Sequence, residues 1–229
     1  RNSPSLLASQ LRELLKNYGD VFEVWFDGAN GGDGYYGGAR EKRNIDNKTY
    51  YDWPNTHKIV RELQPSAVMF SDAGPDVRWV GNESGFAGDP CWATYTPHGL
   101  ERTAPCPGNT KYQEGENGHR NGERWLPAEV DVSIRLGWFY HAKEDKKVRT
   151  PQNLLKLYYE SVGRGASLLL NLPPDRRGQI HENDVASLKE FRRLFDATFS
   201  TDFAQGAKAV ASNTRGNDAR FVAANVLDN

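Results

Sequence analysis

Two cysteines and one methionine in 229 residues leave little sulfur chemistry to build on. So few cysteines exclude a disulfide-dense scaffold. Cys91 and Cys106 share one polar loop, and either a single bridge or two free thiols fits them. No apolar run approaches the roughly 20 residues that span a bilayer. The opening RNSPSLLASQ lacks the basic stretch followed by an apolar one that marks a secretion signal. Net charge is nearly absent as well: 29 Lys and Arg face 30 Asp and Glu, so no long-range field favours a nucleic acid or an anionic membrane. His57, His98, His119, His141 and His181 show no metal-ligand spacing, and no metal or other cofactor is expected.

What the chain has in quantity is aromatic side chains, with six Trp, ten Tyr and ten Phe. Many sit in Gly- and Pro-rich loops such as DGYYGG, TYYDWPN and DPCWATYTPHG rather than in strands. Rings in a core serve packing, whereas rings in loops line binding surfaces, and a flat apolar ring with a polar edge suits the C–H faces of sugars.

Periodicity predicts an α/β chain. Ser3 and Pro4 open a helix with Leu7, Leu11, Leu14 and Leu15 on one face, and Gly19 stops it. The pattern of FEVWFD predicts a strand ending at Asp27. A short helix with Ile59, Val60 and Leu63 closes at Pro65, and SAVMFSD predicts a second strand ending at Asp72. From Ala73 to about Ala128 neither period is visible, and so long an irregular connection is usually functional. EVDVSIRLGWFYH predicts a third strand. A helix capped by Thr150-Pro151 follows, with Leu154, Leu155, Tyr158 and Val162, and then ASLLLNLPP as a buried strand. Val185, Leu188, Phe191, Leu194 and Phe195 mark the last helix before a compositional change near Ser200.

Strands joined by helices imply right-handed crossovers and a parallel sheet. Four such strands make half of a (β/α)8 barrel over residues 1–200, although a doubly wound open sheet fits the count too. Residues 201–229 differ in composition and carry the strand-like AKAVASN and ARFVAANV. The GANGGDG segment precedes no helical pattern, so it suits a sugar-site loop better than a dinucleotide loop. A half barrel leaves sheet edges open, and its remaining strands are expected from the rest of the natural chain or from another chain.

Two acids stand out. Asp27 ends a strand at a glycine turn, on the rim where barrel enzymes keep their chemistry. Glu83, in RWVGNESG, lies on a glycine-flanked loop beside Trp79, where apolar neighbours would help it keep a proton. Two carboxylates in unlike surroundings are the minimum equipment for cleaving a glycosidic bond. Asp72, Asp76 and His141 are assigned structural duty.

The segments VWFDGANG, QPSAVMFSDAGPDVRWVGNESG, SIRLGWFYH and LLLNLPPDRRGQIHENDVASLKEF, in that order, resemble the family 29 glycoside hydrolases, the retaining α-L-fucosidases. The resemblance runs from about Leu6 to about Phe199; it implies that residues 1–200 are the C-terminal half of the barrel and that residues 201–229 link to and begin a β-sandwich module. RWVGNE resembles the subgroup preferring α-1,3- and α-1,4-linked fucose in branched, Lewis-type glycans. The resemblance implies Asp27 as nucleophile and Glu83 as general acid/base, with Arg78 binding fucose and Trp138 packing on its methyl-bearing side. Trp25 and Trp79 complete the expected sugar wall. The implied activity is a secreted, extracellular or periplasmic, exo-α-L-fucosidase acting on fucosylated glycans. A different retaining glycosidase using the same pair, or a carbohydrate-binding protein without catalysis, are the alternatives.

Overall fold

The computed structural model describes residues 4–27, 32–34, 40–43, 52–71, 74–97 and 112–227. In chain order its main elements are α1 (Pro4–Asn17), β1 (Glu23–Trp25), β2 (Gly32–Gly34), β3 (Glu41–Arg43), α2 (Trp53–Leu63), β4 (Val68–Ser71), β5 (Val77–Trp79), β6 (Thr94–Tyr95), α3 (Tyr112–Asn117), β7 (Arg124–Trp125), β8 (Ala128–Ser133), α4 (Pro151–Ser161), β9 (Ser167–Asn171) and α5 (Glu182–Thr198). Among the described residues one sheet dominates, ordered β1-β4-β5-β8-β9 with every neighbouring pair parallel.

The helices form for local reasons and dock for apolar ones. α1 buries Leu11 and Leu15, four residues apart, while Arg12, Glu13 and Lys16 stay in water. Leu14 turns off that stripe and is exposed. α2 buries Trp53, Thr56, Ile59 and Val60. Just past its end, the Gln64 amide donates to Leu15 O (2.8 Å) and Gly19 O (3.0 Å) and accepts from Val21 N (3.1 Å), which ties α1, α2 and the entry to β1 together. α4 opens as its sequence predicts: Thr150 Oγ1 accepts from Asn153 N at 3.2 Å, and Pro151 holds the first turn.

Register gives the sheet two unlike faces. Val24, Phe26 and Met69 pack outward against Leu11, Leu15, Ile59 and Val60. Val132 and Ile134 pack outward against Leu154 and Leu157, and Leu168, Leu170, Leu188 and Phe191 join them. The opposite face carries Glu23 and Trp25 on β1, Phe70 on β4, Trp79 on β5, Glu129, Asp131 and Ser133 on β8, and Ser167 and Asn171 on β9. This inner face is polar and acidic. Glu23 and Glu129 come into hydrogen-bond range across two intervening strands. In a flat sheet three strand spacings of about 4.8 Å would hold their backbones too far apart, so the sheet curls inward as a barrel wall does. The architecture is half of a (β/α)8 barrel.

Three expectations are corrected. The segment between Asp72 and Ala128 is not without regular structure: it contains β5, the β6–β7 hairpin and α3, and β5 raises the strand count from four to five. A three-residue strand is too short for alternation to register. The third strand stops at Ser133 instead of running to His141, and residues 134–141 fold into a loop. AKAVASN is irregular and ARFVAANV forms short 3-10 segments, since a lone extended segment with no neighbour leaves its backbone unpaired.

Candidate active site

Asp27 lies two residues past β1, where Phe26 N still donates to Phe70 O at 3.1 Å and holds the chain to the sheet. Its side chain is exposed at the C-terminal rim. Trp25, on the same inner face, stacks on Phe70 with centroids 4.5 Å apart and planes within 7°. The glycine-rich loop after Asp27 falls largely outside the described residues, as do Asp72 and Cys106.

Glu83 follows β5 on a loop built by Asn82. Asn82 Oδ1 accepts from Ser84 N at 3.0 Å, and its amide donates to Phe86 O and Glu116 Oε1, both at 3.0 Å. Gly85 seats this loop on α4. Its φ is +94°, and a Cβ there would meet Leu157 Cδ2 at 2.4 Å. Glu83 is exposed, and the apolar enclosure expected around it is not present among the described residues. Its partner is also different from the one expected, for Trp138 Nε1 donates to Glu83 Oε2 at 3.0 Å.

Trp79 turns its indole N–H instead to Asp131 Oδ1, at 2.6 Å. Asp131 is 3% exposed, and burial pushes its carboxyl up to about 6, with the charges of Glu83 and Asp27 adding to the effect. The two acids singled out in the sequence are therefore near enough to one buried carboxylate for both to oppose its ionisation. Asp131 itself escaped the sequence reading. The alternation in EVDVSI, with Glu129, Asp131 and Ser133 against Val130, Val132 and Ile134, is the signal that carries it.

Arg78 is corrected by the same parity. Val77 and Trp79 face inward, so Arg78 points away from the barrel interior, and it is wholly buried. Its guanidinium donates to Gly115 O (3.0 Å), Trp92 O (2.9 Å) and Leu126 O, and lies 3.8 Å from the Cys91 sulfur. These bonds fasten the β5–β8 insertion to the sheet. Cys91 is a free thiol, raised by burial. Asp76 pairs with Arg61 and accepts from Met69 N at 2.8 Å, the structural duty expected of it. Among the described residues, no cluster of three or more His, Cys, Asp or Glu could hold a metal ion, and no helix is long and apolar enough to cross a membrane.

A parallel half barrel with acids gathered at the C-terminal ends of its strands has the layout of the catalytic rim of a (β/α)8 barrel. A model of the alpha-L-fucosidase family matches residues 4–196, and the chain belongs to that family. It is 43% identical over 222 residues to alpha-L-fucosidase 1 of Arabidopsis thaliana, covering 96% of this chain and 40% of that protein. The chain thus spans about 40% of the length of this curated relative. Among solved structures it is similar to a glycoside hydrolase 29 family member from an unknown rumen bacterium, with TM-score 0.82, 42% identity, and coverage of 92% of this chain and 37% of that one. It is also similar to a Ruminococcus gnavus GH29 fucosidase solved in complex with fucose, with TM-score 0.76, 29% identity, and coverage of 99% and 45%.

Proposed function

We propose that this chain supplies the catalytic rim of a retaining exo-α-L-fucosidase, completed by barrel strands from further residues of the natural polypeptide or from another chain. Asp27 attacks the anomeric carbon while Glu83 protonates the leaving oxygen. Glu83, then a carboxylate, activates the water that hydrolyses the fucosyl-enzyme. The observation that carries the reading is that Asp27 and Glu83 follow the C-terminal ends of β1 and β5, two strands of one parallel sheet whose inner face buries a third acid, Asp131. Trp25, stacked on Phe70, offers an apolar wall for the methyl group of a deoxy sugar. The substrate class is α-1,3- or α-1,4-linked fucose on branched, Lewis-type glycans. Such glycans face the cell exterior, so the enzyme acts outside the cytoplasm, extracellularly or in the periplasm.

The test is Asp27→Ala in the protein expressed from its complete coding sequence. Hydrolysis of an aryl α-L-fucoside should fall by about a thousandfold or more, and azide should restore part of it with an inverted product. Retained turnover without azide ends the proposal. Rates on α-1,3/1,4-fucosylated trisaccharides against α-1,2- and α-1,6-linked ones decide the linkage.

A further inference from the structure

Asp131 has no place in the two-carboxylate mechanism, yet its setting is hard to explain as packing. It sits mid-strand on the inner face of β8, in register with apolar Leu169 on β9. An acid is costly at such a place unless the fold uses it. Its Oδ1 takes the Trp79 indole N–H at 2.6 Å, which fixes the plane of a ring next in line to the loop that carries Glu83. On β1 the same inner face carries Glu23, with Asp27 just past the strand's end. Trp79 comes from β5, with Glu83 just beyond; β8 adds Glu129 and Ser133, and β9 the uncharged Ser167 and Asn171.

Resting on the fucosidase reading above, we infer that Asp131 is a positioning residue for the reaction: it holds the Trp79 ring in the barrel wall and keeps a fixed negative charge on the inner face below the rim that carries Asp27 and Glu83. The sugar ring gains positive charge as its glycosidic bond breaks. A fixed, buried anion favours that charge most where it develops, and it needs no reorganisation to do so. The Trp79 N–H both orients the carboxylate and favours its ionised form.

Charge and position separate experimentally. In the complete protein, kcat/KM for an aryl fucoside should fall as pH drops through about 6, where Asp131 takes up its proton. Asp131→Asn keeps an acceptor for Trp79 but carries no charge. It should lower kcat/KM by roughly ten- to a hundredfold and abolish this acid limb. Trp79→Phe keeps a ring but removes the donor, so the limb should move to higher pH; this variant carries the test alone if Asp131→Asn does not fold. A limb that persists in Asp131→Asn, or stays in place in Trp79→Phe, overturns the role given to Asp131. A wild-type protein with no fucoside hydrolysis at all would instead remove the functional reading itself.

Discussion

Glu23 and Glu129 stand side by side inside the half barrel, although β4 and β5 lie between their strands. Burial is the main force raising both carboxyls, and for Glu129 the charge of Glu23 adds to it, bringing Glu129 to about 7. Ser167 Oγ donates to Glu129 Oε2 at 3.0 Å, which opposes the rise only in part.

A stability prediction comes from this pair. An acid raised in the folded state binds more protons there than in the unfolded chain, so its stabilisation is complete below its ordinary value and fades as pH rises through the folded one. For Glu129 that window runs from 4.5 to about 7, and Asp131, raised to about 6, acts in the same direction. Melting temperature should therefore fall between pH 5 and pH 8, by the equivalent of about 1–3 kcal/mol. Glu129→Gln should flatten that dependence and be the more stable protein at pH 8. Calorimetric scans at the two pH values measure both. An unchanged slope in the variant would show that other groups govern the titration.

Arg78 supports the second prediction. Its donors satisfy carbonyls of Gly115, Trp92 and Leu126, three points of the insertion that runs from β5 to β8. Arg78→Met fills much of the volume but leaves those acceptors unpaired in a dry site. The expected cost is about 3 kcal/mol or more, read as a lower midpoint in urea unfolding, with KM for an aryl fucoside little changed at a temperature where the variant is folded. A large rise in KM with unaltered stability would return Arg78 to the sugar.

Helices were legible in the sequence because their apolar spacing and caps are local. The pairs Leu11 with Leu15 and Thr150 with Pro151 say where α1 and α4 lie without reference to the rest of the chain. β5 was not legible, since its three residues are held by β4 and β8, which are distant in sequence. The candidate acids were visible as Asp27 and Glu83, each beside a glycine turn. Their surroundings were not. Trp79 is four residues from Glu83 in sequence, yet the indole that reaches Glu83 belongs to Trp138, 55 residues away. Strand parity, which separates Arg78 from Trp79, becomes readable only once β5 is known to be a strand.

That distant tryptophan carries the third prediction. The loop bearing Trp138 is held from three sides: Ser133 Oγ donates to Gly137 O at 2.8 Å, and Asn171 Nδ2 donates to Trp138 O at 3.0 Å. At its base, Arg135 pairs with Asp184 and Asp145, each at 2.9 Å. So anchored, the Trp138 indole can orient the Glu83 carboxyl, and it need not contact sugar to matter. Trp138→Phe keeps the ring and removes the N–H donor. If the donor is what counts, kcat/KM should fall roughly tenfold or more on a fucosylated trisaccharide, whose leaving oxygen needs a proton. An aryl fucoside with a good leaving group should be nearly unaffected in its first step. If instead the ring is the sugar's apolar wall, Trp138→Phe changes the two substrates alike, while Trp138→Ala raises KM for both. The ratio of the two kcat/KM values across these variants distinguishes orientation of the acid from contact with fucose.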